Sequence, residues 1–260
     1  MLNGRALSNL AIRVYGLAAI AQGLVGLVWG DFATDWWPVQ ALPFNLHHRA
    51  ALSYIVAICF LFGGVAILWR RAAQSGVVVL SILYFISALL WMPRMVEFPR
   101  ILGTWCGFMQ QFSLVASAMV AYASLMPRDS ASTVRMARIG RFLYAICVVS
   151  YGLVHFSDLS GTASVVPEWI PPGQKFWAAA TGFAFLLASI AMFSGVLAVL
   201  ASRLLTVMLV VFSALVWAPS LFTDPHVHLT WAGNAINLAF IGAAWVIADS
   251  LASRQEQIPN

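Results

Sequence analysis

The sequence predicts an all-α integral membrane protein: eight transmembrane helices, built as two parallel-related four-helix bundles that arose by internal duplication. Three observations lead there. First, the chain is 62% hydrophobic and only 9% charged, with a mean hydropathy of +0.87. A soluble domain carries about 25% charge. Second, apolar runs of spanning length, about 20 residues, recur along it. Third, one stretch occurs twice. Ser87-Ala88-Leu89-Leu90-Trp91-Met92-Pro93 returns as Ser213-Ala214-Leu215-Val216-Trp217-Ala218-Pro219, an offset of 126. The same offset carries Pro99 onto Pro225, Trp105 onto Trp231, Gly107 onto Gly233 and Gln111 onto Asn237. A gap-free match of that length signals an internal repeat. An earlier block, Gly4-Arg5, Leu7 and Tyr15-Gly16-Leu17, returns at an offset of 136. The first half therefore holds ten extra residues, expected in the loop from Asp31 to Arg49, because loops accept insertions most easily.

The spanning segments are expected near 9–30, 49–69, 76–92, 103–125, 138–157, 175–195, 203–218 and 230–249. The third and seventh are shortest. Both run into a Trp-x-Pro, and proline, which lacks an amide hydrogen, is expected to end both at one depth. The fourth and eighth carry small residues four apart, Ser113 and Ser117 matching Ala239 and Ala243, which suits close helix packing. The predicted units are 1–126, a cytoplasmic linker at 127–136, a second repeat at 137–252 and a tail at 253–260. With a cytoplasmic N-terminus, ten Lys and Arg fall inside and four outside. The positive-inside rule then places both termini on the cytoplasmic side. Four helices per half give both halves one orientation.

Composition also excludes. The net charge of +5 comes from arginines in short interhelical loops, so it does not point to nucleic acid. Cys59, Cys106 and Cys147 lie in apolar segments without C-x-x-C spacing and read as small core residues. No signal-peptide cleavage pattern follows the first apolar run.

With that topology, all five histidines, six of nine carboxylates and most tryptophans gather at the outer face. Either an aromatic belt or an outward-facing aromatic pocket accounts for this. Tyr151, His155 and Asp158, spaced four and three apart, share one helical face, and the carboxylate could hold the imidazole for a ligand. The alternative is a histidine that hydrogen-bonds locally near the interface. Gln110, Gln111, Asn234 and Asn237 serve either as interhelical glue or as the polar floor of a pocket roofed by Trp105 and Trp231. His47-His48 and His226-Val227-His228 lack the spacing of a metal site on a rigid element, and no metal is expected. The loop Val166-Pro167-Glu168-Trp169-Ile170-Pro171-Pro172-Gly173 is stiffened by its prolines, and Trp169 can lie at the interface.

His155-Phe156, that P-x-W-I-P loop, Phe176-Trp177 and Thr181-Gly182 together resemble the DoxX-like family of small four-helix bacterial membrane proteins. The likeness covers about residues 138–195; the first half joins only through the repeat, with Trp36-Trp37-Pro38 a loose echo of the loop. The tandem copy departs from that family's single four-helix unit. The resemblance implies an accessory membrane subunit in a quinone-linked oxidoreductase system, with a redox partner subunit. His155 would then hydrogen-bond a quinone carbonyl while Asp158 orients it. The sequence shows no haem-ligand pair, flavin fingerprint or cysteine cluster, so the chain could not perform the electron chemistry alone, and a bound quinone is the one cofactor to consider. A binder or transporter of a small hydrophobic molecule, and a membrane scaffold without a ligand, are the alternatives.

Overall fold

The computed structural model describes residues 4–32, 46–127 and 130–255. The inserted loop with Asp35, Trp36, Trp37 and Pro38, and the tail beyond Gln255, lie outside the described residues. The elements are α1 (Gly4–Trp29), α2 (Leu46–Leu68), α3 (Ala73–Glu97), α4 (Leu102–Ser124), α5 (Ala131–Ser157), the short α6 (Leu159–Ser164), α7 (Gln174–Ser194), α8 (Ala198–Phe212), the short α9 (Ser220–Thr223) and α10 (His228–Gln255). Among the described residues, seven helices are long and apolar enough to cross a membrane, as in a multi-pass membrane protein. The exception is α4, whose 23 residues are long enough but include Gln110 and Gln111. Several helices outrun their apolar segments. The apolar run measures the lipid-facing length, and polar turns such as Arg135 to Arg138 extend α5 beyond it.

The expectation that proline ends two helices is overturned at Pro93 and holds only near Pro219. In α3 the helix passes through Pro93 and continues to Glu97. A proline in a membrane helix forfeits one backbone bond, and local adjustment can absorb the loss. In the second half Pro219 offers no N–H to the carbonyl four residues earlier. There α8 widens into a π-turn over Ser213–Trp217, closed by Ala218 N donating to Ser213 O at 2.7 Å. Pro219 then opens α9.

The helices pack in a ring, in the order α1, α2, α3, α4, α5, α7, α8, α10 and back to α1, with α4 and α10 also touching across the middle. The first helix of each half lies along the last helix of the other: α1 on α10 and α5 on α4. The halves thus interlock and do not stand as two self-contained bundles. Small side chains allow it. A Cβ on Gly242 would fall 2.7 Å from Tyr15 N, and one on Gly140 would fall 2.7 Å from Ala116 O, so both crossings bring backbones into direct contact. Ser113, Ser117, Ala239 and Ala243 are all buried, as the packing reading expects. The central position of α10 shows in its burial: 61% of its apolar window is covered, against 17% for α8 and α9.

Candidate functional site

At the His155 end of the ring, the predicted pocket residues are taken up one by one in structural work. Trp105, Trp177 and Trp231 are each the fourth residue of a helix (α4, α7, α10). Each indole Nε1 reaches back to donate to a prolyl carbonyl six residues earlier: Trp105 to Pro99 at 3.0 Å, Trp177 to Pro171 at 3.0 Å and Trp231 to Pro225 at 2.8 Å. These indoles clamp the entering loop to its helix. Asn234 donates to Trp217 O at 2.9 Å and to Thr230 O at 2.8 Å. It thereby caps a carbonyl that the π-turn leaves open, together with the Ser220 hydroxyl at 2.6 Å. Gln111 and Asn237 are buried in α4 and α10, and Asn237 Nδ2 finds no partner among the described residues. Glu168 and Trp169 stand in solvent or lipid on the loop before α7, Trp169 with 72% of its surface exposed.

The trio on α5 separates as well. Tyr151 is buried, and its hydroxyl donates to Ser113 Oγ on α4 at 2.6 Å. Its counterpart Tyr15 donates to the Leu114 carbonyl of the same helix at 2.9 Å. Asp158 turns away from the imidazole. Its Oδ1 accepts from Gly161 N at 2.9 Å and caps the start of α6, a role carboxylates fill well because helix N-termini present free N–H groups. The expected orientation of His155 by Asp158 is therefore corrected. His155 is held instead by its own helix, Nδ1 lying 2.6 Å from Tyr151 O, with its ring against Phe185 at 5.3 Å. A carbonyl can only accept, so Nδ1 carries the proton. In the neutral ring Nε2 is then an acceptor. Such a histidine takes a hydrogen bond from an O–H. It does not give one to a quinone carbonyl, as the sequence reading had it.

Beside these groups, Arg49 grips Asp31 through two bonds, at 3.0 and 2.9 Å, and Trp29 stacks on His228 with ring centroids 5.3 Å apart. Among the described residues no three histidine, cysteine or acidic side chains gather as metal ligands.

The cavity lies at the opposite end. Where α1 and α5 begin and α4 and α10 finish, they border a half-open cavity of about 320 Å³. That is near the lower bound for small-molecule sites. Arg138 and Arg141 from α5 and Arg254 from α10 line it, with Asp249 beside them. Arg138 and Arg254 both repel Arg141, while Arg141 Nη1 donates to Ser250 Oγ at 2.9 Å. Ser124 and Thr133 add hydroxyls, and Ile12, Val120 and Val246 form an apolar wall. Arg141 is partly buried and Arg138 and Arg254 stand exposed at the rim, and three like charges so close favour an anion between them.

Sequence reasoning had counted these arginines only toward topology. The available signal was Arg138 and Arg141 on one face of α5, three apart, and Asp249, a carboxylate placed within the last apolar helix. Comparison with protein-family models, with characterised proteins and with solved structures returns no match to this chain.

Proposed function

We propose that this chain is a membrane-embedded binding protein, which holds an amphiphilic small molecule by its anionic group in the arginine-lined cavity. The carrying observation is that cavity, with Arg138, Arg141 and Arg254 converging beside an apolar wall. Basic pockets between membrane helices on the cytoplasmic side are suited to anionic headgroups. The ten-to-four distribution of Lys and Arg supports that orientation, with both termini cytoplasmic in a bacterial inner membrane.

The same reading takes α4 as an eighth span, shielded by its neighbours so that its amides need not face lipid. It also takes the two halves as a parallel duplication. Matched contacts support this. Gly107 lies against Trp91 as Gly233 lies against Trp217, and the Trp105–Pro99 bond repeats as Trp231–Pro225.

A second reading keeps the quinone-linked accessory subunit that the DoxX-like resemblance implies. One observation favours it: the Nε2 of half-buried His155 is set up as an acceptor among aromatic rings. That suits a quinol hydroxyl, with electron chemistry left to a partner subunit. Gentle purification, then identification of co-purified lipids and quinones by mass spectrometry, tests both. An anionic or zwitterionic amphiphile retained by the wild type and lost from Arg138→Gln/Arg141→Gln supports the first. A quinol lost only from His155→Ala supports the second. Retention unaffected by any of these changes refutes both.

A further inference from the structure

The cavity carries one group that a plain anion site would not want. Asp249 shares the lining with the three arginines, and its Oδ2 is shut from water with no hydrogen-bond donor. Arg203 is close enough to attract its charge and the Trp245 indole lies within hydrogen-bonding reach of the carboxylate, yet neither bonds Oδ2. A buried carboxylate oxygen without a donor costs free energy, and a bare anion placed beside it would raise that cost by repulsion. An N–H⁺ group of the ligand, set against the part of the carboxylate that lines the cavity, would offset that repulsion.

Position along the chain strengthens the case. Asp249 and Ser250 are adjacent on α10, and Ser250 Oγ is already the acceptor of Arg141. Asp249, Ser250 and Arg141 all line the one cavity, and one small molecule with a short tether can reach both the carboxylate and the arginine. In the first half Ala123 stands at the position matching Asp249, and it lines the same cavity. The carboxylate is thus present on one side only, and a ligand with two unlike ends has one way to lie.

Resting on the proposed cavity function, we infer that the ligand is a zwitterion: a phosphate ester bearing a primary ammonium on a short tether, its phosphate between Arg138, Arg141 and Arg254 and its ammonium on Asp249. Two sources share this chemistry, an aminoalkyl phospholipid headgroup and a free aminoalkyl phosphate.

The test uses the full-length protein, delipidated in detergent, and measures affinity by native mass spectrometry and by ligand-induced thermal shift. The probes are dihexanoyl phosphatidylethanolamine, dihexanoyl phosphatidylglycerol and free phosphoethanolamine. Wild type is expected to bind the ethanolamine lipid about tenfold more tightly than the glycerol lipid, as one charged hydrogen bond allows. Asp249→Asn, which keeps size and removes charge, should bring that ratio close to one. Arg141→Gln should weaken both lipids. Competition by free phosphoethanolamine at concentrations similar to the lipid would identify a soluble source; its failure to compete would identify the headgroup.

Equal affinity for the two lipids in the wild type, or a ratio unmoved by Asp249→Asn, overturns the zwitterion inference; if Arg141→Gln still weakens both, the cavity reading survives. Binding unaffected by Arg141→Gln, or no binding of any probe, overturns the cavity reading and the inference with it. Melting of each ligand-free variant close to wild type separates lost binding from lost folding. Should Asp249→Asn melt early, Asp249→Ser serves in its place.

Discussion

The crossing of α1 on α10 offers the sharpest stability test, through Gly242→Ala. The added methyl would fall 2.7 Å from Tyr15 N, 2.8 Å from its Cα and 3.1 Å from its Cβ. Carbon atoms settle about 3.5–4.0 Å apart, so the two helices must separate by roughly 1 Å at the crossing. The obstructing atoms are mostly backbone, which no rotamer change can move. Overpacking of this kind costs about 1–3 kcal/mol. Alanine recovers up to about 1 kcal/mol through its better helix propensity. The net expectation is a loss of about 1–2 kcal/mol, or roughly 2–8 °C in melting temperature for a chain of this size. Scans at one fixed rate in one detergent compare the variants, because unfolding of such proteins is commonly irreversible. Gly103→Ala is the control: it is exposed, and the nearest atom to its new methyl is 3.9 Å away, so it should melt at or slightly above wild type. Gly140→Ala, 2.7 Å from Ala116 O, should behave like Gly242→Ala. A Gly242→Ala protein that melts no lower than Gly103→Ala would refute the direct backbone contact at this crossing.

Three further outcomes are expected. Asp158→Asn should be nearly silent, since asparagine also caps helices, while Asp158→Ala should cost about 1 kcal/mol; in both, retention of any ligand at His155 should be unchanged, and a loss of retention in Asp158→Asn would restore the orienting role that the capping geometry denies. Asn234→Leu should destabilise by about 1–3 kcal/mol by stripping a donor from the Trp217 carbonyl, and equal melting of variant and wild type would mean that Ser220 suffices there. Reporter fusions after Arg71 and after Arg135 should read cytoplasmic, and a periplasmic signal at either would overturn the orientation.

The helices were legible because lipid imposes a length of apolar sequence that few other environments require. Their ends were less so. Pro93 and Pro219 stand at matching positions, yet one is carried inside an α-helix and the other follows a π-turn. That difference depends on which neighbour can satisfy a freed carbonyl, and Asn234 sits 17 residues away from Trp217. The amides and tryptophans of the His155 end stand out by residue type, but type alone does not say whether they serve a ligand or the backbone. The Pro-x5-Trp spacing was open to reading in all three places, since Pro171 and Trp177 repeat the spacing of Pro99 and Trp105. The cavity was hidden for another reason. Its arginines come from α5 and α10, far apart in sequence and in direct contact across the ring, and no local pattern reports that Arg141 and Ser250 touch.

The interlocked ring sets an order of events during synthesis. The face of α1 that carries Tyr15 receives Gly242 as its cover, and Gly242 is made more than two hundred residues after it. At ordinary translation rates that is a wait of roughly 10–45 s. Throughout it, α1 sits in the bilayer with a stripe of small residues turned toward lipid or toward whatever helix drifts past. The seam between the first and last helices is the final one to close, and until it does the protein is an open horseshoe. A ribosome that stalls before His228 therefore releases an unclosed arc, with α1 bare along the side meant for α10, the form on which membrane quality control would act.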